Sequence, residues 1–535
     1  MSAARPRTSS AALRLIEAVA DPGTWQSWDR PVEISTEDPD YRADLERARE
    51  RTGLDESVIT GEGRIRGRRV AVVACEFGFL AGSIGIDAGE RLVRAVERAT
   101  AERLPILAAP ASGGTRMQEG TVAFVQMVKV TAAITDHKAA GLPYLVYLRH
   151  PTTGGVLASW GSLGHLTAAE PAALIGFLGP RVHEALYGEE FPPGVQTAEN
   201  LMANGLVDAV LPADQLAGTA ARALDVLAGD DAGTGPGGNG ATLSSGPPAS
   251  DGPSSDAASA EGPFADMRPG DGRAPSAGES IRRSRRGDRP GVRALLKVAC
   301  RDVTPLSGTG AGEHDPGLLL ALARIGGTPC VLLGHDRRGE AAPPLGPAGL
   351  REARRGMRIA AELDLPLLTV VDTAGAALSR EAEEGGLAAE IARCLADLVT
   401  LPAPTLCLLL GQGAGGGALA LLPADRVIAA RHAWLSPLPP EGASAILYRT
   451  TERAYEVAGR QGVRSSDLLA HGIADRIVEE TDEIGEGDAA DRAGAFLTRL
   501  GDILGAELAA LRAEPPALRL ATRRQRHRGL GTTGR

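Results

Sequence analysis

Short runs of apolar residues, bounded by glycine and proline, recur along the chain. Examples are VAVVA from Val70, PILAAP from Pro105 and PYLVYL from Pro143. These runs are continuously apolar rather than alternating, which predicts strands that are buried on both faces of a sheet. Between such runs lie segments such as 89–104 and 346–365, in which apolar residues recur every three or four positions, as in amphipathic helices. Strands that alternate with helices predict an α/β fold.

The second half of the chain repeats this pattern. VLL from Val331, PLLTVV from Pro366 and PTLCLLL from Pro404 each lie 261 residues after the corresponding run of the first half. Near the ends of the two halves, NGLVDAVL from Asn204 and HGIADRIV from His471 correspond with an offset of 267. Equal offsets across unrelated local sequence indicate an internal duplication. We therefore expect two domains of the same fold, which agrees with a length of 535 residues.

A segment poor in apolar residues separates the two halves. Between 231 and 280, 35 of 50 residues are Gly, Pro, Ala or Ser. Such a segment buries too little apolar surface to offset the entropy of ordering, so it predicts a disordered linker. The predicted divisions are an N-terminal extension at 1–59, a first domain at 60–228, the linker at 229–290, a second domain at 291–512 and a basic C-terminal tail at 513–535.

Charged residues cluster at four further places. Two arginine clusters flank the second domain, and they are Arg282, Arg283, Arg285, Arg286 and Arg289, then Arg523, Arg524, Arg526 and Arg528. We interpret both as solvated flexible ends, with contact to an acidic partner or a phosphate as the alternative. The acid pairs Glu189/Glu190 and Glu383/Glu384 are interpreted as exposed charges rather than as a catalytic dyad.

Charge and lysine content exclude several classes of protein. The net charge of −10 does not favour nucleic acid as a partner. The chain has only three lysines, Lys129, Lys138 and Lys297, and none stands in the Gly-Lys-Ser/Thr context of a P-loop or the Met-Lys-Met context of a biotin carrier. ATP binding by a P-loop and covalent attachment of biotin are therefore excluded.

Cysteine usage and hydropathy bound the compartment. The five cysteines form no CxxC pair, so neither a disulfide framework nor a four-cysteine zinc site is indicated, and we expect a reducing cytoplasm. The longest uncharged run, Leu398–Ala424, is interrupted by prolines and glycines. We interpret it as a buried strand followed by a glycine turn and a helix, and not as a membrane span.

Glycine turns carry the candidate chemistry. After the third strand of each half come HPTTGG, with Gly154 and Gly155, and GQGAGGG, with Gly416 and Gly417. Glycines at the start of a helix leave N–H groups unpaired, and such groups can stabilise a developing oxyanion. The sequence contains no GxSxG elbow, HExxH motif or GxGxxG after a strand, so we expect backbone groups and a bound cofactor to perform the chemistry.

The segments that contain these glycine turns resemble a known family. PASGGTRMQEG together with PTTGGVLASWGSLGHLTAAEPAALIGFLGPRV is similar to the β subunit of the acetyl-CoA carboxylase carboxyltransferase. The segments GPAGLREARRGMRIAAELDLPLLTVVDTAGA and GQGAGGGALALLPADRVIAARHAWLSPLPPEGASAIL resemble the α subunit of the same enzyme. The order of β then α in one chain resembles fused forms, and the similarity covers about 60–215 and 320–480.

The resemblance implies a fold, a reaction and a set of site residues. The fold is α/β, with two crotonase-like ββα superhelix domains arranged as an internal duplication. The reaction moves a carboxyl group from carboxybiotin, supplied on a separate carrier protein, to acetyl-CoA, which gives malonyl-CoA for fatty acid or polyketide synthesis. The implied groups are the N–H groups of Gly154 and Gly155 for the thioester oxygen, those of Gly416 and Gly417 for the biotin oxygen, Arg116 with Gly113 and Gly114 for the thioester or the product carboxylate, and Gly415, Ala418 and Gly375 beside biotin.

Partners also follow from the resemblance. We expect a biotin carboxyl carrier protein, a biotin carboxylase and at least a dimer of this chain in the cytoplasm, with no nucleic acid and no membrane. Bacterial β subunits usually begin with a four-cysteine zinc ribbon, but residues 1–74 contain no cysteine, so no zinc or other metal is expected.

The sequence also departs from the family pattern. DTAGAALS at 372–379 stands for DTPGAYPG, GQGAGGG stands for GEGGSGG, and Arg431 replaces the Glu expected before HAW. These departures leave three alternatives beside an acetyl-CoA carboxyltransferase. They are a propionyl-CoA-type carboxyltransferase, a biotin-linked decarboxylase and a catalytically weakened scaffold subunit of a carboxylase complex.

Overall fold

A computed structural model describes residues 10–227, 275–337, 344–480 and 489–531. Residues 229–274 of the predicted linker lie outside these ranges. Two seven-stranded sheets, one in each half of the chain, form the framework.

The first sheet combines antiparallel and parallel pairing. In spatial order its strands are β1 (Gln26–Ser27), β2 (Val58–Ile65), β3 (Arg68–Cys75), β4 (Ile106–Ala109), β5 (Tyr144–Leu148), β7 (Leu166–Ala169) and β9 (Ala209–Val210). The pairs β1·β2 and β2·β3 are antiparallel, and the four that follow are parallel. Two short strands, β6 (Thr152–Thr153) and β8 (Ile175–Gly176), form a separate parallel pair.

The second sheet repeats this arrangement. Its strands are β10 (Cys300–Leu306), β11 (Leu318–Ile325), β12 (Thr328–His335), β13 (Leu367–Thr373), β14 (Thr405–Gly413), β15 (Arg426–Ala430) and β16 (Arg476–Val478). Again the first two pairs are antiparallel and the remaining four are parallel. The predicted α/β fold, with two domains of the same topology related by duplication, is confirmed.

Strand register refines the offset between the halves. Ile106 pairs with Tyr144, and Leu367 pairs with Thr405, so both strands keep the offset of 261. Ala71 pairs with Ile106, whereas Val331 pairs with Leu367. Val331 therefore corresponds to Ala71 rather than to Val70, because the second half has one more residue between these two strands.

Helices precede, connect and follow the strands of the two sheets. In the first half they are α1 (Ala11–Val19), α2 (Pro39–Thr52), α3 (Ile86–Ala101), α4 (Gly120–Phe124), α5 (Gln126–Ala139), α6 (Pro180–Tyr187), α7 (Ala198–Ala203) and α8 (Ala213–Leu227). In the second half they are α9 (Ala277–Ser284), α10 (Val292–Ala299), α11 (Pro347–Glu362), α12 (Arg380–Glu384), α13 (Leu387–Thr400), α14 (Gly415–Leu419), α15 (Pro440–Tyr448), α16 (Ala454–Arg460), α17 (Ser465–Ala470), α18 (Ala489–Ala513) and α19 (Pro516–Gly529).

The core continues from one domain into the other. Helix α5 packs against α13, and a single cluster of buried apolar residues extends through both halves. The uncharged run Leu398–Ala424 contains the end of α13, strand β14 and helix α14, as its glycines and prolines predict. Among the described residues, no helix has the length and apolar character needed to cross a membrane.

The described parts of the N-terminal extension and of the linker are packed into this folded body. Helix α1 packs against α8, and β1 pairs with β2, so residues 10–59 belong to the first domain. The predicted linker does not extend to residue 290, because 275–290 includes α9. From this segment Arg285 forms an ion pair with Glu441, and Arg289 forms one with Glu480.

The C-terminal arginines are paired with acidic residues of the fold. Arg523, in α19, is buried and binds Asp425 at 2.7 Å. Arg526 binds Asp475, and Arg528 binds Glu90 of the first domain at 2.7 Å. The interpretation of both arginine clusters as solvated flexible ends is therefore wrong, because folding brings distant carboxylates to them.

Candidate functional site

The first glycine turn follows the third parallel strand of the first domain. Gly154 has a φ of +66°, which is a left-handed conformation that favours glycine. Its N–H group donates to the carbonyl oxygen of Phe177 at 3.0 Å. The next N–H groups, those of Gly155 and Val156, have no hydrogen-bond acceptor among the residues that the structure describes.

The second glycine turn has the same geometry. Gly415 has a φ of +62°, and its N–H group donates to the carbonyl oxygen of Ser436 at 2.9 Å. Gly416 and Gly417 follow in the first turn of α14, where backbone N–H groups lack intrahelical partners. Within the described part of the chain these two N–H groups have no acceptor.

The two turns correspond residue by residue with the offset of 261. Gly154 corresponds to Gly415, and in each domain this residue uses its N–H group to anchor the turn. The assignment of Gly154 as an oxyanion donor is therefore wrong, since its N–H group is occupied by Phe177. Val156, whose N–H group is also unbonded, occupies the position of Gly417 and was not predicted from the sequence. The offset of 261 between the two turns is the sequence signal that identifies it.

A supporting turn lies beside each glycine turn. A Cβ atom on Gly114, whose φ is +102°, would lie 3.0 Å from the Gly155 nitrogen. In the second domain, a Cβ atom on Gly417 would lie 3.3 Å from the nitrogen of Ala376, which follows Gly375. The N–H groups of Gly113, Gly114 and Gly375 bond within their own turns or to neighbouring loops. These glycines therefore allow each supporting turn to pack closely against its glycine turn. Ala418 is buried in α14.

Arg116 lies in a buried ion pair. Its guanidinium group binds both carboxylate oxygens of Glu56, and its side chain is 1% exposed. It also donates to the carbonyl oxygen of Ser83 at 2.8 Å and to the Ser57 hydroxyl at 3.2 Å. The expectation that Arg116 holds the substrate is contradicted, because its donors are already bound within the first domain.

The departures from the family pattern lie at the carboxyl ends of second-domain strands. Asp372, at the end of β13, is buried and accepts the N–H group of Gln412 at 3.0 Å. Burial raises the pKa of Asp372, and the nearby charge of Arg337 opposes that rise. Arg431 follows β15 and forms an ion pair with Glu479 at 3.1 Å. Its replacement of a glutamate is thus accommodated by an acidic residue after β16.

Glu383 connects the two domains, which the sequence analysis did not predict. Its carboxylate accepts the N–H group of Phe177 at 2.8 Å and the Nε2 group of Gln196 at 2.6 Å. Glu383 is buried, so its interpretation as an exposed charge is wrong. The partner Glu384 remains on the surface side, where it pairs with Arg380. A pair of identical residues gives no signal as to which one a neighbouring domain will cover.

Metal-ligating side chains do not converge in the described ranges. Across them, no group of three or more His, Cys, Asp and Glu side chains is arranged to hold a metal ion. The unbonded groups at the two turns are the backbone N–H donors described above. They suit an oxygen atom that carries or develops negative charge.

Comparison with known proteins relates the whole chain to one family. The family model described as the carboxyl transferase domain matches residues 5–488. A Mycobacterium tuberculosis (strain H37Rv) protein named probable biotin-dependent acyl-coenzyme A carboxylase beta3 subunit is 57% identical over 520 residues, which cover 97% of this chain and 98% of the relative. A Salinispora arenicola protein named acetyl-coenzyme A carboxylase carboxyl transferase subunits beta/alpha is 36% identical over 538 residues, covering 98% and 91%.

Among solved structures, similarity extends over most of the chain at low sequence identity. The crystal structure of transcarboxylase 12S with methylmalonyl-coenzyme A and methylmalonic acid bound is 20% identical to this chain. The match covers 94% of this chain and 90% of the other, with a TM-score of 0.35.

Proposed function

The chain belongs to the carboxyl transferase domain family of biotin-dependent acyl-CoA carboxylases, and we propose that it transfers a carboxyl group from carboxybiotin to acetyl-CoA. Carboxyl transfer between biotin and an acyl-CoA is the activity of the family. The choice of acetyl-CoA and the roles of individual residues are the proposal. The observation that carries it is the pair of unbonded N–H groups at corresponding positions of the two domains.

The first turn suits the thioester. When the carbon next to a thioester carbonyl loses a proton, the carbonyl oxygen gains negative charge. We assign the N–H groups of Gly155 and Val156 to that oxygen, because fixed donors stabilise charge that develops in the transition state. The N–H group of Gly154 does not take part, because it donates to the Phe177 carbonyl and so anchors the turn.

The second turn suits biotin, which supplies the transferable carboxyl group when bound. We assign the N–H groups of Gly416 and Gly417 to the ureido oxygen of biotin. This assignment rests on the two N–H donors in the first turn of α14. Helix α13 and the supporting turn at Ala376 pack against that turn and hold its backbone in place. We assign no side chain of this chain as a general base.

Other proteins must complete the reaction sequence. The lysine contexts exclude a biotin attachment site and a P-loop in this chain. We therefore propose a separate biotin carboxyl carrier protein and a biotin carboxylase as partners, with an assembly of at least two copies of this chain in the cytoplasm. Full activity of a monomer would contradict the proposed assembly of two or more copies.

Relatives named acetyl-coenzyme A carboxylase at 33–38% identity support acetyl-CoA as the acceptor. The 57% identical relative is named only for an acyl-coenzyme A, which keeps the propionyl-CoA-type alternative as the competing outcome. The scaffold alternative is disfavoured because both turns keep their unbonded donors.

Acyl preference can be measured in the reverse direction. The purified protein is incubated with biocytin and either malonyl-CoA or methylmalonyl-CoA, and the product acyl-CoA is followed. We expect kcat/KM for malonyl-CoA to be at least about tenfold higher, the discrimination that one methyl group commonly gives. A preference for methylmalonyl-CoA would assign a propionyl-CoA-type enzyme. Absence of turnover with both, in folded protein, would favour the scaffold.

A further inference from the structure

Glu383 is a buried acid that the assigned chemistry does not use. It lies in α12 of the second domain, yet its carboxylate receives hydrogen bonds from the first domain. The N–H group of Phe177 donates to both oxygens, at 2.8 and 3.0 Å. The Nε2 group of Gln196 donates to one of them at 2.6 Å and also to the Leu178 carbonyl at 2.8 Å.

Phe177 stands between the two glycine turns. Its carbonyl oxygen accepts the N–H group of Gly154, which anchors the first turn. Its ring covers Gly416 of the second turn, where a Cβ atom would lie 2.9 Å from the ring carbons. Glu383 holds the N–H group of the same residue, so one carboxylate fixes the segment that touches both turns.

Burial of this carboxylate is costly, which argues that its place is selected for. Burial raises the pKa of Glu383, and the hydrogen bonds from Gln196 and Phe177 act against that rise. The groups that offset its desolvation are thus neutral donors rather than an arginine or lysine. Buried charge without a salt bridge persists only where hydrogen bonds compensate it.

We propose that Glu383 is a positioning residue for carboxyl transfer, which sets the separation of the Gly155 and Gly416 turns by holding Phe177. This inference rests on the proposed function. If the two turns bind the two reactants, a displacement of about 1 Å between them lowers the rate by up to about a hundredfold while each reactant still binds. Glu383 contacts neither reactant itself.

The test is Glu383→Gln, which keeps size and one acceptor but removes the charge that holds two donors. The matched control is Glu384→Gln on the same helix, where the side chain is 23% exposed, pairs with Arg380 and accepts one hydrogen bond from Asn200 of the first domain at 3.2 Å. It therefore controls for the loss of an interdomain carboxylate that does not hold Phe177. In the malonyl-CoA and biocytin assay we expect kcat of Glu383→Gln to fall at least about tenfold, with both KM values within about threefold of wild type. Glu384→Gln should match wild type.

A second variant keeps the proposal testable if Glu383→Gln does not fold. Phe177→Leu leaves both backbone bonds in place and removes the ring from Gly416, and we expect its kcat to fall at least about fivefold. Wild-type kcat in folded Glu383→Gln or in Phe177→Leu would overturn the proposal. So would a loss confined to KM, because a positioning role predicts a loss in kcat. An inactive wild-type protein in the same assay would instead overturn the proposed function.

Discussion

Gly155→Val and Gly416→Val, at equivalent positions of the two turns, are each expected to lower turnover by about a hundredfold or more. Loss of one oxyanion donor commonly costs about 2.7–4 kcal/mol of transition-state stabilisation. A Cβ atom on Gly155 would lie 3.1 Å from the Thr115 hydroxyl oxygen and 3.5 Å from Met127. A branched side chain there displaces the turn and covers its N–H group. At Gly416 the corresponding neighbours are the side chain of Ile391, at 2.8 Å, and the ring of Phe177, at 2.9 Å.

The control for these variants is Gly459→Val. Gly459 lies on the exposed side of α16, and a Cβ atom there has no heavy atom within 4 Å. Its turnover should match wild type. Each variant is tested with steady-state kinetics and with circular dichroism to show folding. Near-normal rates in folded Gly155→Val or Gly416→Val would reject the oxyanion role of that turn.

Glu56→Gln is expected to lower the free energy of unfolding by about 3–5 kcal/mol. It removes the bidentate counter-charge of the Arg116 guanidinium group, which is 1% exposed, and leaves only the more distant carboxylate of Glu119 at 3.4 Å. Removal of one partner from a buried ion pair commonly costs about that much. Burial alone would raise the pKa of Glu56, but the charge and hydrogen bonds of Arg116 outweigh it and lower that pKa. The pair therefore stabilises the fold above the ordinary pKa of Glu, and this contribution is lost as the pH falls through the lowered value.

Urea unfolding of Glu56→Gln beside Glu456→Gln measures this effect. Glu456 pairs with Arg453 on the surface, where both side chains are 42% exposed, so the second variant should unfold at the wild-type urea midpoint. Equal effects of the two substitutions would show that Arg116 does not depend on Glu56. Such a result would again make Arg116 a candidate for binding the substrate.

The sequence predicts the fold well because strands and duplication leave signals in local pattern. Continuous apolar runs identified β3, β4 and β5 and their equivalents, and the repeated offset predicted two domains. The register of β3 was missed by one residue, since apolar runs have blurred ends. Only the pairing of Ala71 with Ile106, and of Val331 with Leu367, shows that Ala71 and Val331 are equivalent positions of the two domains.

The site was predicted in part. Glycine pairs located both turns, but a glycine is chosen for its backbone angle as well as for its N–H group. At Gly154 and Gly415 the positive φ is the reason for glycine, and the free donors follow one residue later. Val156 has no glycine to mark it, because its position needs only an N–H group.

Charged residues were the least predictable. Arg116 appears in the sequence as a candidate for binding the substrate, and Glu383 and Arg523 each appear as ordinary surface charges beside a like-charged neighbour. Each is buried because a partner distant in the sequence comes to it, namely Glu56, Phe177 and Asp425. Local pattern carries no information on such partners, and an alignment of the two halves does not supply it.

The most direct measurement of the central claim follows the carboxyl group itself. Wild-type protein is mixed with malonyl-CoA labelled in the free carboxyl carbon, with and without biocytin, and the label is traced in each product. Carboxyl transfer predicts that acetyl-CoA forms only when biocytin is present and that the label appears on biocytin in equal amount. Acetyl-CoA formed at the same rate without biocytin, with the label released as carbon dioxide, would contradict carboxyl transfer.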